Sequence, residues 1–132
     1  MKINNGKWKF EIKNNEFRRI YSNEKLDVTI FEIKEEDNID IKSFLEIDDQ
    51  IFEDNINDID KSIYLIGYPE GEKQRLTNGL IKDIDENNYE IKHLCKSNPG
   101  ASGCSIINLN NNRVIGIQTE AATGYKWNIG RL

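Results

Sequence analysis

The chain has 132 residues, enough for one ordinary domain or two small packed halves and too few for two full domains. Its 18 Lys plus Arg stand against 23 Asp plus Glu, a formal charge of -5, which works against binding nucleic acid or an anionic membrane through bulk charge. No apolar run is long enough to span a bilayer, and Met1 to Phe10 lacks the apolar stretch of a signal peptide, so the default location is cytosolic. Cys95 and Cys104, without a secretory signal, fit reduced thiols better than a disulfide framework.

Isoleucine and asparagine are heavily used while alanine and proline are scarce, which favours strands joined by polar turns. Lys7 to Ile12 alternates, with Trp8, Phe10 and Ile12 on one face, and predicts a half-buried strand. A second short strand is expected around Phe17 to Tyr21. A third, from Val28 to Ile33, is apolar on both faces, with Asp27 at its start. From Lys34 to Lys61 the chain is acidic and weakly patterned, so it reads as a connector with one or two short turns. This divides the chain into 1–47, an acidic connector 48–61, and 62–132.

The second half opens with a strand from Ile63 to Tyr68, stopped by Pro69-Glu70-Gly71, and continues through Gln74 to Asp83. Glu86-Asn87-Asn88 turns into Tyr89 to Leu94. After Ser97-Asn98-Pro99-Gly100-Ala101-Ser102-Gly103 come Cys104 to Leu109, an Asn110-Asn111-Asn112 turn, Arg113 to Glu120, and a last segment from Tyr125 to Leu132. Six short strands with regular turn signals predict a small antiparallel barrel. The expected fold class is all-β.

The loop at Ser102 carries the chemistry. Glycines on either side allow a bend that turns successive N–H groups toward one point beside the hydroxyl, the geometry of an oxyanion hole. A serine hydroxyl is a weak nucleophile that needs a hydrogen-bonded base, usually a histidine oriented by a carboxylate. The sequence holds one histidine, His93. The α/β-hydrolase elbow, G-x-S-x-G between strand and helix, fails here because Cys104 replaces the second glycine and the next segment reads as strand. The G-x-S-G form followed by a strand is the chymotrypsin arrangement, which assigns the N–H groups of Gly100 and Ser102 as oxyanion donors.

Three separated motifs, in order, resemble the trypsin-like (chymotrypsin-fold) serine peptidases, and in particular their glutamyl-endopeptidase-like, bacterial-type branch. Leu26-Asp27-Val28-Thr29-Ile30 resembles the segment with the triad aspartate. Ile63-Tyr64-Leu65-Ile66-Gly67-Tyr68-Pro69 resembles the strand opening the C-terminal barrel, and Arg113-Val114-Ile115-Gly116-Ile117 the strand lining the substrate cleft. The resemblance implies a double β-barrel with an incomplete N-terminal barrel and a six-stranded C-terminal one. It also implies Ser102 as nucleophile, Asp27 as orienting carboxylate, no cofactor, and a peptide or protein substrate in extended conformation.

The family's histidine, in a T-A-x-H segment upstream of the aspartate, has no counterpart here. Only three of the six strands of the first barrel are expected, so the chain reads as if it begins just after that histidine. It is therefore expected to hydrolyse peptides poorly or not at all, and to self-associate through its incomplete barrel. The alternatives are a pseudoprotease that adds an extended peptide beside Arg113 to Glu120, or a structural β-domain.

Each residue also has a plainer reading. The plainer reading of Ser102 is that G-x-S-G is merely a tight turn; Asp27 can bond local backbone, and His93 lies where a core histidine would. Lys96, six before Ser102, falls where the resemblance puts the floor of the specificity pocket and would favour an acidic side chain, or it is a solvated loop lysine. Gln118 and Thr119 either contact substrate or are ordinary edge-strand polar residues. Asp83-x-Asp85-x-Asn87 starts like a calcium loop but lacks the required glycine and glutamate, and one histidine with two cysteines makes no zinc site, so no metal is expected.

Overall fold

Among the described residues, ten strands and three short 3-10 turns make up almost all the regular structure, so the chain is nearly all-β as composition predicts. The computed structural model describes residues 2–4, 9–12, 18–52, 58–68, 73–98, 100–120 and 127–132. Trp8, Phe17, Pro69-Glu70-Gly71, Pro99 and Tyr125 lie outside the described residues. Two compact units divide the chain, Met1–Phe44 and Leu45–Leu132.

In the first unit, β1 (Lys2–Asn4) pairs antiparallel with β2 (Lys9–Glu11), and β3 (Ile20–Asn23) with β4 (Val28–Phe31). The strand at Lys2–Asn4 was not expected, because three residues are too few to show alternation. Val28 to Phe31 is not apolar-buried on both faces: Thr29 and Ile30 are exposed. Beyond β4 the acidic run is more than a solvated connector. Arg18 is buried and grips Asp37 with two bonds of 2.8 Å. That grip, with the N–H of Lys34, holds the Asp37 carboxyl below the usual carboxylate range and fixes the 3-10 turn Glu35–Asp37.

The second unit is a closed barrel of two three-stranded meanders. One is β5 (Ser62–Gly67), β6 (Arg75–Asp85) and β7 (Glu90–His93); the other is β8 (Ser105–Asn108), β9 (Val114–Glu120) and β10 (Asn128–Arg131). Pairing of β5 with β8 and of β7 with β10 joins them into the ring. Closure removes the unpaired edges that would otherwise template aggregation.

Alternation drives the burial. Ile63 and Leu65 point inward from β5, Ile91 and His93 from β7, and they meet Ile81, Ile106 and Ile115 in one core. Each isoleucine so buried contributes about 1.5–3 kcal/mol. Residues 45–61 fold with this barrel. The N–H of Asp48 donates to the Val114 carbonyl at 2.8 Å and that of Val114 to the Glu46 carbonyl at 2.8 Å, so 46–48 lies along the start of β9.

Asp85 closes the hairpin that the sequence places at Glu86-Asn87-Asn88. Its carboxylate accepts the N–H groups of Asn87 and Asn88 and the side-chain amide of Asn88, which closes the turn between β6 and β7.

Candidate active site

Leu94 and Cys95 carry the chain out of β7 directly across Gly79 on β6. A Cβ on Gly79 would lie 2.4 Å from the Cys95 nitrogen and 2.6 Å from the Leu94 carbonyl carbon, so only glycine allows this crossing. The N–H of Leu94 donates to the Leu80 carbonyl at 3.0 Å, and the Thr77 hydroxyl donates to the Lys96 carbonyl at 2.8 Å. These contacts fix the run into the serine loop.

The loop itself turns on two glycines in left-handed conformation, Gly100 at φ 83° and Gly103 at φ 84°. Ala101 is buried between them while Ser102 is exposed. The N–H of Ala101 donates to Asn98 at 3.0 Å, that of Gly103 to Gln118 at 2.7 Å, and that of Cys104 to Ala101 at 3.0 Å. Among the described residues the N–H groups of Gly100 and Ser102 donate to no backbone carbonyl. Those are the two amides that sequence reasoning assigns to an oxyanion hole. The Ser102 hydroxyl donates to the Thr119 carbonyl at 3.1 Å.

Thr119 thus lies at the loop, where its backbone is placed beside the serine. Gln118 is 1% exposed, and its side chain is committed inside the barrel. Its Nε2 donates to the Glu120 carbonyl at 2.6 Å, so its Oε1 accepts from His93 Nε2 at 2.7 Å. The Gln118 side chain is thus turned into the barrel. Inward alternation on β9 puts Gln118 on the core side, where a buried amide must find partners.

His93 is 0% exposed, as a core histidine would be. Its Nε2 proton is taken by Gln118, and its Nδ1 is buried without a hydrogen-bond partner. Burial pushes its pKa down, partly offset by the Gln118 bond. This buried pair had no signal in the sequence beyond the shared inward parity of His93 and Gln118, because their registers meet only when β7, β10 and β9 close.

Lys96 is exposed and lines a cleft of about 220 Å³ together with Arg75 and Thr77 of β6, a cleft that neither Ser102 nor Thr119 lines. Asp27 belongs to the first unit. It closes the turn between β3 and β4 at φ 53°, donates its N–H to the Glu24 carbonyl at 3.3 Å, and is exposed. Both cysteines are free. Burial raises the Cys95 thiol to about 11 and pushes Cys104 up as well. Among the described residues no group of three or more His, Cys, Asp and Glu is placed to hold a metal ion.

β9 pairs with β8 from Val114 to Ile117 and with β10 from Ile117 to Glu120, and Ile47 bridges to Val114. On the β8 side, Gln118 bonds the backbone of Cys104 and Gly103. Beyond it, among the described residues, no strand pairs with Thr119 and Glu120 on the β8 side.

Comparison with known proteins agrees with this architecture. No curated protein sequence matches. Among solved structures, Rv3671c from M. tuberculosis, solved as a serine-to-alanine mutant in an inactive form, superposes with a TM-score of 0.67 at 16% identity. That superposition covers 98% of this chain and 63% of that one. A serine endoprotease from Yersinia pestis superposes with a TM-score of 0.62 at 20% identity, covering 98% of this chain and 46% of that one. The chain therefore spans about half to two thirds of the length of these neighbours, and neither is described as a glutamyl endopeptidase. The sequence profile of the trypsin-like peptidase domain matches residues 10–117, most of the length, and on that match the chain belongs to the trypsin-like peptidase domain family.

Proposed function

We propose that the chain is a serine-peptidase homologue in which Ser102 is the nucleophile, the N–H groups of Gly100 and Ser102 form the oxyanion hole, and Asp27 is the orienting carboxylate. The observation that carries this reading is the division of amides in the loop. From Gly100 to Cys104 three amides are tied into the fold, and among the described residues those of Gly100 and Ser102, the pair that would meet a developing oxyanion, donate to no backbone carbonyl.

Acylation needs a base within hydrogen-bond reach of the Ser102 hydroxyl. His93, the sole histidine of the sequence, does not serve, because both its nitrogens are in the core and one is bonded to Gln118. With the Ser102 proton directed at the Thr119 carbonyl instead of a base, hydrolysis by these residues alone is poor. Loss of the base in serine peptidases removes a factor of about 10⁶, ~8 kcal/mol of transition-state stabilisation.

A second reading, a pseudoprotease that holds an extended peptide, draws on the same buried histidine. The peptide would pair with the backbone of Thr119 and Glu120 on the side that β8 leaves open.

A fluorophosphonate probe separates the two. We expect slow labelling of the wild-type chain, abolished in Ser102→Ala and accelerated by millimolar imidazole acting as an external base. Labelling equal to that of Ser102→Ala, with and without imidazole, would overturn the nucleophile assignment and leave the peptide-binding reading.

A further inference from the structure

The cleft beside Lys96 is the best-formed feature that the serine chemistry leaves unused. Lys96 and Ser97 form one side, Arg75 and Thr77 of β6 another, and Ala101 and Cys104 of the serine loop a third. Its walls carry two cations, Arg75 and Lys96. Lys61, Lys82, Lys92, Arg113 and Arg131 each meet a carboxylate. Arg75 and Lys96 make no ion pair among the described residues, although the chain as a whole carries -5.

Two further observations point to an occupant. The Ser97 hydroxyl is buried and, among the described residues, has no hydrogen-bond partner, a state that folded proteins seldom leave unmet. The lining is largely apolar, and about 220 Å³ is the liquid volume of about seven waters, the scale of one amino-acid residue. A fully polar anion such as phosphate would leave the apolar walls unpartnered. Arginine suits a carboxylate through its paired donors, and a lysine adds a point charge beside it.

We propose that this cleft binds a carboxylate on an apolar stem, the C-terminal residue of a peptide, with Arg75 and Lys96 on the carboxylate, Ser97 donating its hydroxyl, and the stem against Ala101 and Cys104. Occupancy steadies the serine loop. The route is short: Thr77 holds the Lys96 carbonyl, Asn98 accepts from Ala101, and the next amide is that of Ser102. Binding here is independent of whether Ser102 acts as a nucleophile.

The test is a titration of the full chain followed by ¹H–¹⁵N NMR, with N-acetyl-leucine, its amide N-acetyl-leucinamide, and a tripeptide ending in a free leucine carboxylate. We expect the amide signals of Ser97, Ala101 and Cys104 to shift saturably in the millimolar range with the two carboxylates and not with the amide. The tripeptide should bind more tightly and slow hydrogen exchange at Ser102 and Gly103 several-fold. The double variant Arg75→Gln, Lys96→Gln, which alters two exposed side chains and whose fold is checked by its own spectrum, should weaken binding at least about tenfold. Equal shifts with the amide, or unchanged affinity in the folded double variant, overturn the site. Tighter binding of N-acetyl-leucine than of the tripeptide overturns the peptide assignment in favour of a small free carboxylate. Unaltered exchange at Ser102 and Gly103 on saturation overturns the coupling to the loop.

Discussion

A buried histidine with one nitrogen bonded and the other bare makes the barrel sensitive to acid. Because Gln118 Nε2 donates to Glu120, Gln118 Oε1 must accept, so His93 carries its proton on Nε2 and leaves the Nδ1 lone pair in the core. Protonating Nδ1 would place a charge where nothing neutralises it, and the folded pKa lies below the ordinary 6.5. The unfolded chain takes up this proton as pH falls below about 6.5, and the native chain resists it. Stability is therefore full above that pH and falls below it, by at most about 1.4 kcal/mol per pH unit, until the folded pKa is reached. Urea melts at pH 7.5 and 5.5 should show this loss in the wild type and a smaller one in His93→Met. An equal pH dependence in the two would refute it. Among the loop and core residues, Ser102 and the Gly100 amide were marked by spacing alone, since the glycines fix the loop's backbone. Gln118 was not, because parity along a strand does not say which face closure will bury.

Among the elements, the crossing of Leu94–Cys95 over β6 is the one the serine loop depends on. Gly79→Ala would force backbone against backbone, and overpacking of that kind costs about 1–3 kcal/mol. A thermal melt should drop by about 4–8 °C per kcal/mol for a barrel of this size. A melting temperature within a degree of wild type would show that the crossing yields without strain. The strands of the second unit were visible in the sequence to within two or three residues, because alternation and asparagine turns agree there. In the first unit they were less so. β1 is three residues long, β3 begins three residues later than expected, and the Asp37 turn rests on Arg18, nineteen residues away, a pairing that local pattern does not encode.

For the whole molecule, the ring of six strands with its own isoleucine core leads to an expectation about autonomy. Residues 45–132 contain every strand of the closed barrel and the cluster of Ile51, Ile63, Leu65, Ile81, Ile91, Ile106 and Ile115. This fragment should fold alone and melt cooperatively, as followed by circular dichroism, whereas residues 1–44, with two separate two-stranded sheets, should not. A fragment 45–132 without a cooperative transition would mean that the barrel needs the first unit. The sequence by itself determined the all-β class, the serine loop with its flanking glycines, and the family motifs, since period-two alternation and glycine's freedom at positive φ act over a few residues. Only the tertiary structure decided that His93 is locked against Gln118, that Lys96 shares a cleft with Arg75, and that β9 pairs with both β8 and β10. Those facts depend on strands distant in sequence meeting in one register when the barrel closes.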